Sequence, residues 1–564
     1  MSTLGRVASS LAAIPAGFVA RMIHRAATGS EAVVDVHVSS IPDLRDRQRF
    51  LTRLARAGQD PHVAAVLLRL EAPIGGWAAI HDLREVIVGI RSAGKPVYAA
   101  LEAPGNALTW LASACDRVFA VPTGELGLVG VGVELTFFGD ALARLGVKPD
   151  FEAAGAYKSF GEPWTRAWPS AENHEAVRAL VDDLHQQLVS GIAEGRSLPH
   201  AHVAELLDRA PLPAAEALEV GLVDQLAYPD QIEDWLEERH GQHSQLVAFA
   251  GWARRDAIIE HIESWGAPGG QLRVLHLQGP IVMDDESSRG PVIAARKVLP
   301  ILKRLRNDDE VAAVVLHVDS PGGSALASDL IWREVDELAR SKTVVASFED
   351  TAASGGYYLA APAAEILVRP GTLTGSIGVF GGKLVMAEGL RKVGVHTREV
   401  LGAPNANVFS ASRRFSEDQR SRFRASLQRF YDGFVERVAN GRRASQEEIE
   451  PHCRGRVWTG TAARGVKLAD RLGNLEDAVT RATDLAGLRQ RGIVRQDLST
   501  YQVPLAARIA QALMRRFAPA ALSPGLELAA RALPGVASPI VGVVLSHPEQ
   551  PLAVLPFDPT GLVD

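Results

Sequence analysis

Two periodicities alternate along this chain. Continuous apolar runs, Val63-Ala-Ala-Val-Leu-Leu-Arg-Leu70 and Val311-Ala-Ala-Val-Val-Leu-His-Val318, fit strands buried on both faces. Stretches with apolar residues every three or four positions separate them. The longest, Ser416–Arg443, carries Phe423, Leu427, Phe430, Tyr431 and Phe434 at helical spacing behind a Ser416/Gln419 capping box, and a similar stretch begins at Ser170. These aromatics read as core or subunit-packing residues. Val-, Ile- and Leu-rich strands alternating with helices predict an α/β fold with mostly parallel strands.

The pattern occurs twice. Asp60-Pro-His-Val-Ala-Ala-Val-Leu-Leu lies beside Asp309-Glu-Val-Ala-Ala-Val-Val-Leu, and an offset of about 248 positions carries Pro122–Gly130 onto Pro370–Gly378 and Leu145-Gly-Val147 onto Val393-Gly-Val395. A tandem duplication follows, with one copy over 31–236 and the other over 271–487. The polar, glycine-punctuated stretch 237–270 reads as a linker with a short helix around Arg254–Trp265. Residues 488–564, rich in Ala, Pro, Leu and Arg, read as an extension without a counterpart in the first half, and Pro539–Leu545 within it is too short to span a bilayer.

Composition changes this picture little. At 564 residues the chain exceeds a single core, and with 47% hydrophobic and 22% charged residues and a net charge of −6 it reads as globular with no nucleic-acid partner. Cys115 and Cys453 make neither a disulfide framework nor a zinc site. Residues 1–30 hold Arg6, Arg21, His24 and Arg25 and no acid, and their uncharged run from Val7 to Ala20 is short for a spanning helix. With Leu4, Val7, Leu11, Ile14, Phe18 and Met22 on one face, the segment reads equally as a basic interfacial helix or as a helix packed on the protein. A signal peptide is a third reading, against which Arg21 and Arg25 stand.

Candidate chemistry gathers at two glycine turns. In Lys342–Tyr358 a β-branched run leads through Ala353-Ser354-Gly355-Gly356 into a helix start, where a hydroxyl is exposed beside free backbone N–H groups. Upstream, the strand ending at Val318 runs into Asp319-Ser-Pro-Gly322-Gly323, a turn able to aim N–H donors at a developing oxyanion. The copies differ here. Opposite Ser354 the first half has Asn106 or Ala107, and opposite Gly322-Gly323 it has Ile74-Gly75; conversely, Asn405 falls opposite Lys158. His317 and His396 belong to no matched motif and read as structural, and Asp319 and Asp350 as ordering the turns they begin.

Gly155-Ala-Tyr-Lys158-Ser-Phe-Gly-Glu-Pro163, Asp319–Gly323, Ala353–Tyr358 and Thr372–Val379, in this order, resemble the SppA signal peptide peptidase family, the S49 serine peptidases, in its long duplicated form. The resemblance implies a ClpP/crotonase-like domain in each half, with Ser354 as nucleophile and Lys158, kept neutral by burial beside Tyr157 and Phe160, as its base. It implies an oxyanion hole at Gly322, Gly323 and Gly355, substrate contacts at Thr374, Gly375 and Ser376, and no metal or organic cofactor. It further implies a homo-oligomer, a tetramer in the family's manner, at the bacterial cell membrane, degrading cleaved signal peptides and other hydrophobic peptides. A dyad divided between copies places the site at a domain or subunit interface, within one chain or between chains. The rival readings are a crotonase-like acyl-CoA enzyme, which leaves Ser354 and Lys158 without a role, and an inactive membrane-protein scaffold.

Overall fold

In the computed structural model the described residues are 32–241, 245–263, 272–284, 290–488, 495–499 and 552–554. The readings of residues 1–30 and of Pro539–Leu545 fall outside them. Among the described residues no helix is long and apolar enough to cross a membrane. The described residues divide into two compact units, one drawn from 32–132 and 183–263, the other from 133–182 and the described residues from 272 onward.

In the first unit the continuous apolar runs become β1 (Ala32–Val38), β2 (Val63–Leu70), β3 (Val97–Leu101) and β4 (Arg117–Ala120), paired in parallel. Helices α1 (Leu44–Gln59), α2 (Trp77–Ser92) and α3 (Asn106–Ala112) make the crossovers. Strand β2 is almost wholly buried, as a run without polar alternation requires. Asp43 caps α1, its carboxylate accepting from the Asp46 N–H at 3.0 Å. The stretch read as a linker does more than connect. Gln245–Ala248 pairs in parallel with β1 as an edge strand, and the helix after it, α4 (Phe249–Glu263), starts at once, ahead of the expected Arg254.

The second unit holds β5 (Lys148–Ala154), β6 (Leu272–Gln278), β7 (Ile281–Val282), β8 (Ala313–Ser320), β9 (Gly322–Ser324), β10 (Thr343–Ala353), β11 (Leu373–Gly375), β12 (Val379–Val385), β13 (Arg495–Ser499) and β14 (Leu552–Val554). Strands β6, β8 and β10 form the parallel centre of one sheet, flanked by β11 and β13. Their side chains form the core with α5 (Ala325–Ser341), α6 (Gly355–Ala360) and α7 (Glu417–Arg442). Strand β13 lies beside β6 as Gln245–Ala248 lies beside β1, so the start of the extension does have a counterpart in the first half. A four-residue strand of mixed polarity hides this relation at the level of sequence. The second sheet runs β7-β9-β14-β12-β5, with Ile293–Ala294 beyond β7.

Two features of this unit position the site. Between Val318 and Ser320 the β8–β10 register shifts, pairing Val318 with Phe348 but Ser320 with Ala352, and the resulting bulge swings the end of β10 against β11. Strand β5 pairs antiparallel with all of β12, from Val379↔Ala154 to Val385↔Lys148. It is held on its other side by α7. Buried Asp150 accepts from Arg420 at 2.5 Å and from the Phe415 N–H at 2.7 Å, while Glu152 takes Arg424 at 2.6 Å and Arg420 as well. The expected capping box on α7 is present: Gln419 N–H donates to Ser416 Oγ and Ser416 N–H to Gln419 Oε1. Removing Asp150 leaves the buried Phe415 N–H without its acceptor and takes from Arg420 one of its two carboxylates. Asp150→Ala should therefore destabilise this unit by about 3 kcal/mol, read as a lower midpoint in chemical denaturation; an unchanged midpoint would show that β5 docks through its strand pairing alone.

Candidate active site

Ser354 sits at the junction of β10 and α6, as the helix N-cap, with φ of 54° and ψ of −113°. That conformation is costly for a residue with a Cβ, roughly 1–3 kcal/mol. The packing around it imposes it: the Ser354 N–H donates to Gly375 O at 2.7 Å, Gly356 lies against Ser320 O, and the side chain is fully buried. The first intrahelical bond of α6 runs from Tyr358 N to Ser354 O at 2.8 Å, so the N–H groups of Gly355, Gly356 and Tyr357 precede the ladder. Ser354 Oγ is 3.4 Å from Gly378 O.

Lys158 follows β5 in a tight loop. Gly155 there has φ of 106°, and Lys158 N donates to Gly155 O at 3.0 Å. The loop is gripped from the far side by Arg454 and Gly455. Tyr157 N donates to Arg454 O at 2.7 Å, and a Cβ on Gly455, whose φ is 82°, would stand 2.5 Å from Lys158 N. The grip aims the lysine inward: Lys158 Nζ is 2.8 Å from Ser354 Oγ, 2.9 Å from Ser376 O and 2.9 Å from Ser376 Oγ. Lys158 is 4% exposed, and burial, the sole cause acting on it, holds its amine well below the usual lysine range. A neutral amine has two N–H donors and one lone pair. In that form, with both donors on Ser376, the lone pair would face the Ser354 hydroxyl.

The two glycine turns meet. A Cβ on Gly355 would lie 3.3 Å from Gly322 Cα, Gly322 has φ of 98°, and Gly323 is packed on the backbone of Ile281, to which it pairs. Gly322 N–H reaches Ser320 Oγ at 3.2 Å. Thr374, Gly375 and Ser376, read as substrate contacts, are buried and turned to the interior. Thr374 Oγ1 donates to Ala352 O at 2.6 Å, Gly375 O receives the Ser354 N–H, and Ser376, with φ of 50°, holds the lysine. The expected interface position also changes. Residues 133–182 belong to the second unit, so Lys158 and Ser354 meet inside one unit of one chain.

Phe160 is buried beside the lysine, whereas Tyr157 turns its hydroxyl to Glu175 at 2.9 Å. His317 is fully buried in a chain of its own, 3.0 Å from His276 and 3.2 Å from Glu349, and His396 is exposed. Asp319 accepts the Thr351 N–H at 3.2 Å, a bond from the end of β8 to β10.

The model of peptidase family S49 matches the chain twice, over residues 90–243 and 336–489. The chain belongs to peptidase family S49. Among its relatives, the chloroplastic serine protease SPPA of Arabidopsis thaliana is 29% identical over 80% of this chain and 66% of its own length. Protease 4 of Haemophilus influenzae is 30% identical over 79% of this chain and 74% of its own. Among solved structures, a ClpP1 mutant from Listeria monocytogenes aligns with 37% of this chain and 94% of its own, at 14% identity and a TM-score of 0.25. The expected duplicated α/β fold is thus borne out, as an S49 domain present twice on parallel sheets. Lys158 lies in the first S49 match and Ser354 in the second.

The equivalent place in the first S49 copy is closed. Gly105, not Asn106, takes the N-cap position of α3, and Asn106 folds inward beside it. Its amide nitrogen donates to Gly130 O at 2.9 Å and its oxygen accepts from Gly130 N at 3.0 Å. The Arg47 guanidinium lies against Gly75, the residue opposite Gly323 in the second half. Sequence reading missed the hold of Ser376 on the lysine and the grip of Arg454 and Gly455. A serine in a glycine-rich turn signals neither a lysine partner nor a groove, and Gly455 stands in no recognisable motif.

Two measurements test this geometry. Gly455→Ala should lower the thermal midpoint by more than the ~1 kcal/mol of an unfavourable left-handed residue, because the Lys158 backbone must also move. Gly465→Ala, where a Cβ meets nothing within 4 Å, is the control that should not. The second concerns pH. A lysine neutral when folded and protonated when unfolded makes stability rise with pH between its folded value and the unfolded value of about 10.4. The midpoint of the wild-type chain should therefore gain on that of Lys158→Met from pH 7 to pH 10; a constant difference would mean that Lys158 is charged in the folded protein.

Proposed function

We propose that this S49 protein is an endopeptidase working through a Ser354/Lys158 dyad. The observation that carries the reading is the 2.8 Å approach of a buried amine to the hydroxyl of a strained serine. Neutral Lys158 takes the proton as Ser354 Oγ attacks the scissile carbonyl, then delivers it to the leaving amine. Water repeats the sequence on the acyl-enzyme, with Lys158 again as base. Gly323 and Gly355 offer N–H groups for the oxyanion, each such donor being worth roughly 3–4 kcal/mol, and Gly322 joins them where its N–H leaves Ser320 Oγ. Ser376 positions the base, and Thr374 and Gly375 hold the turn on which Ser354 stands.

The substrate class in this reading is the one the family resemblance implies: cleaved signal peptides and other hydrophobic peptides at the bacterial cell membrane. Homo-oligomers, tetramers in the same reading, are supported by the apolar Val393 and Val400, which stand 74% and 96% exposed near each other in sequence. Assembly is not needed to bring the dyad together. Mixing Ser354→Ala with Lys158→Ala chains should therefore restore no activity, and recovery would place the working pair across chains.

A fluorophosphonate probe should label Ser354, and Lys158→Ala should slow both labelling and peptide hydrolysis by about 10²–10⁴-fold. Hydrolysis should rise with pH as Lys158 loses its proton and then level. Failure of the probe to label Ser354 together with an intact signal-peptide substrate after long incubation would overturn the assignment and favour the scaffold reading.

A further inference from the structure

Strand β14 lies between two strands that do not otherwise pair. Among the described residues β9 and β12 are joined only through it, and it runs antiparallel to both. Leu552 pairs with Ser324 and with Phe380, Ala553 with Gly323, and Val554 with Gly322. Neighbouring strands stand about 4.8 Å apart, so the opening between β9 and β12 is the width of one extended chain.

The walls of this opening are the walls of the site. Strand β9 carries Gly322 and Gly323, the first of which abuts Gly355. Strand β12 starts directly after Gly378, whose carbonyl is 3.4 Å from Ser354 Oγ. Residues 552 to 554 run from Ser324 toward Gly322, that is, toward the nucleophile. A peptide bound for acyl transfer must do the same, its residues before the scissile bond pairing along β9 until a carbonyl reaches Gly322. Strand addition of this kind takes affinity from main-chain hydrogen bonds and tolerates varied side chains.

We propose that residues 552–554 are a built-in occupant of the peptide slot, so that the chain's own Leu-Ala-Val and an extended apolar peptide compete for one place between β9 and β12. The occupancy is a matter of backbone geometry; naming it as the acyl side of a substrate rests on the dyad reading above. Tethering through residues 500–551 gives the segment a high local concentration, so even a weak strand contact holds the slot against dilute peptide. The apparent affinity for an external peptide falls by the fraction of chains whose slot is open.

The test uses the full chain bearing Ser354→Ala, so that binding is read without turnover. Anisotropy of a fluorescein-labelled acetyl-Leu-Ala-Val-Leu amide is compared with and without Ala553→Pro. Proline has no N–H for either neighbour and is a poor fit between two strands. We expect binding about tenfold tighter in the proline chain, corresponding to a slot open about one-tenth of the time, and a similar gain in Leu552→Asp should the proline chain fold poorly. Equal affinity for all three chains, or no binding to any, overturns the proposal. With Ser354 intact, Ala553→Pro should lower KM for a peptide amide by the same factor at unchanged kcat. Tighter binding without hydrolysis in any chain would leave the slot standing and count against the dyad instead.

Discussion

An amine held out of water beside a hydroxyl is the constraint on which this structure turns. Lys158 is buried with Ser354 and Ser376 as its partners, and burial alone lowers its basicity. Desolvation favours the uncharged amine, the form that can accept a proton, at the cost of stability in a protein that could pack an apolar side chain there more cheaply. A carboxylate beside the lysine would have favoured its charged form. Ser376 is a suitable neighbour because it is neutral and offers two acceptors, fixing the direction of the amine without fixing a proton on it.

Placing that amine takes structure from distant stretches of chain. Strand β5 pairs along β12, Asp150 and Glu152 tie it to α7, and Gly455 presses on the Lys158 backbone. Duplication explains how so much scaffold came to serve one pair. With two copies of one domain, one could keep the serine and the other the lysine. The vacated place in the first copy was then closed by groups that satisfy one another, Asn106 with Gly130 and Arg47 against Gly75, leaving no buried polar atom of Asn106 without a partner.

Much of this was legible in the sequence, and the reason differs by feature. The strands around Val63 and Val311 announced themselves because burial on both faces admits no polar alternation, and α7 because its aromatics keep the helical period over many turns. Ser354 and Lys158 stood in distinctive motifs. What escaped was set by tertiary pairing. Gln245–Ala248 and Arg495–Ser499 are strands because a sheet edge awaited them, not because four or five residues of mixed polarity prefer to be extended. The assignment of 133–182 to the second unit depends on β5 meeting β12, a contact more than 200 positions long in sequence. Thr374 and Ser376 entered as substrate contacts through the family resemblance alone, and their burial follows from strand pairing that no local pattern announces.

The same logic bears on where backbone strain is kept. Ser354 and Ser376 both adopt positive φ, as do Gly322 and Gly375, and all four lie where strands of the central sheet end. A regular strand or helix would direct these groups along the sheet. Turning them toward one point requires conformations that cost energy, and the buried strands behind them supply the rigidity that holds such conformations in place. The β8–β10 bulge belongs with them, since without the extra residues Ser354 would not face Gly378 and the lysine. The arrangement is local in what it strains and extended in what supports it, so substitutions that leave the turns intact but loosen β5 or α7 would be felt first in the aim of Lys158 and only then in the stability of the unit.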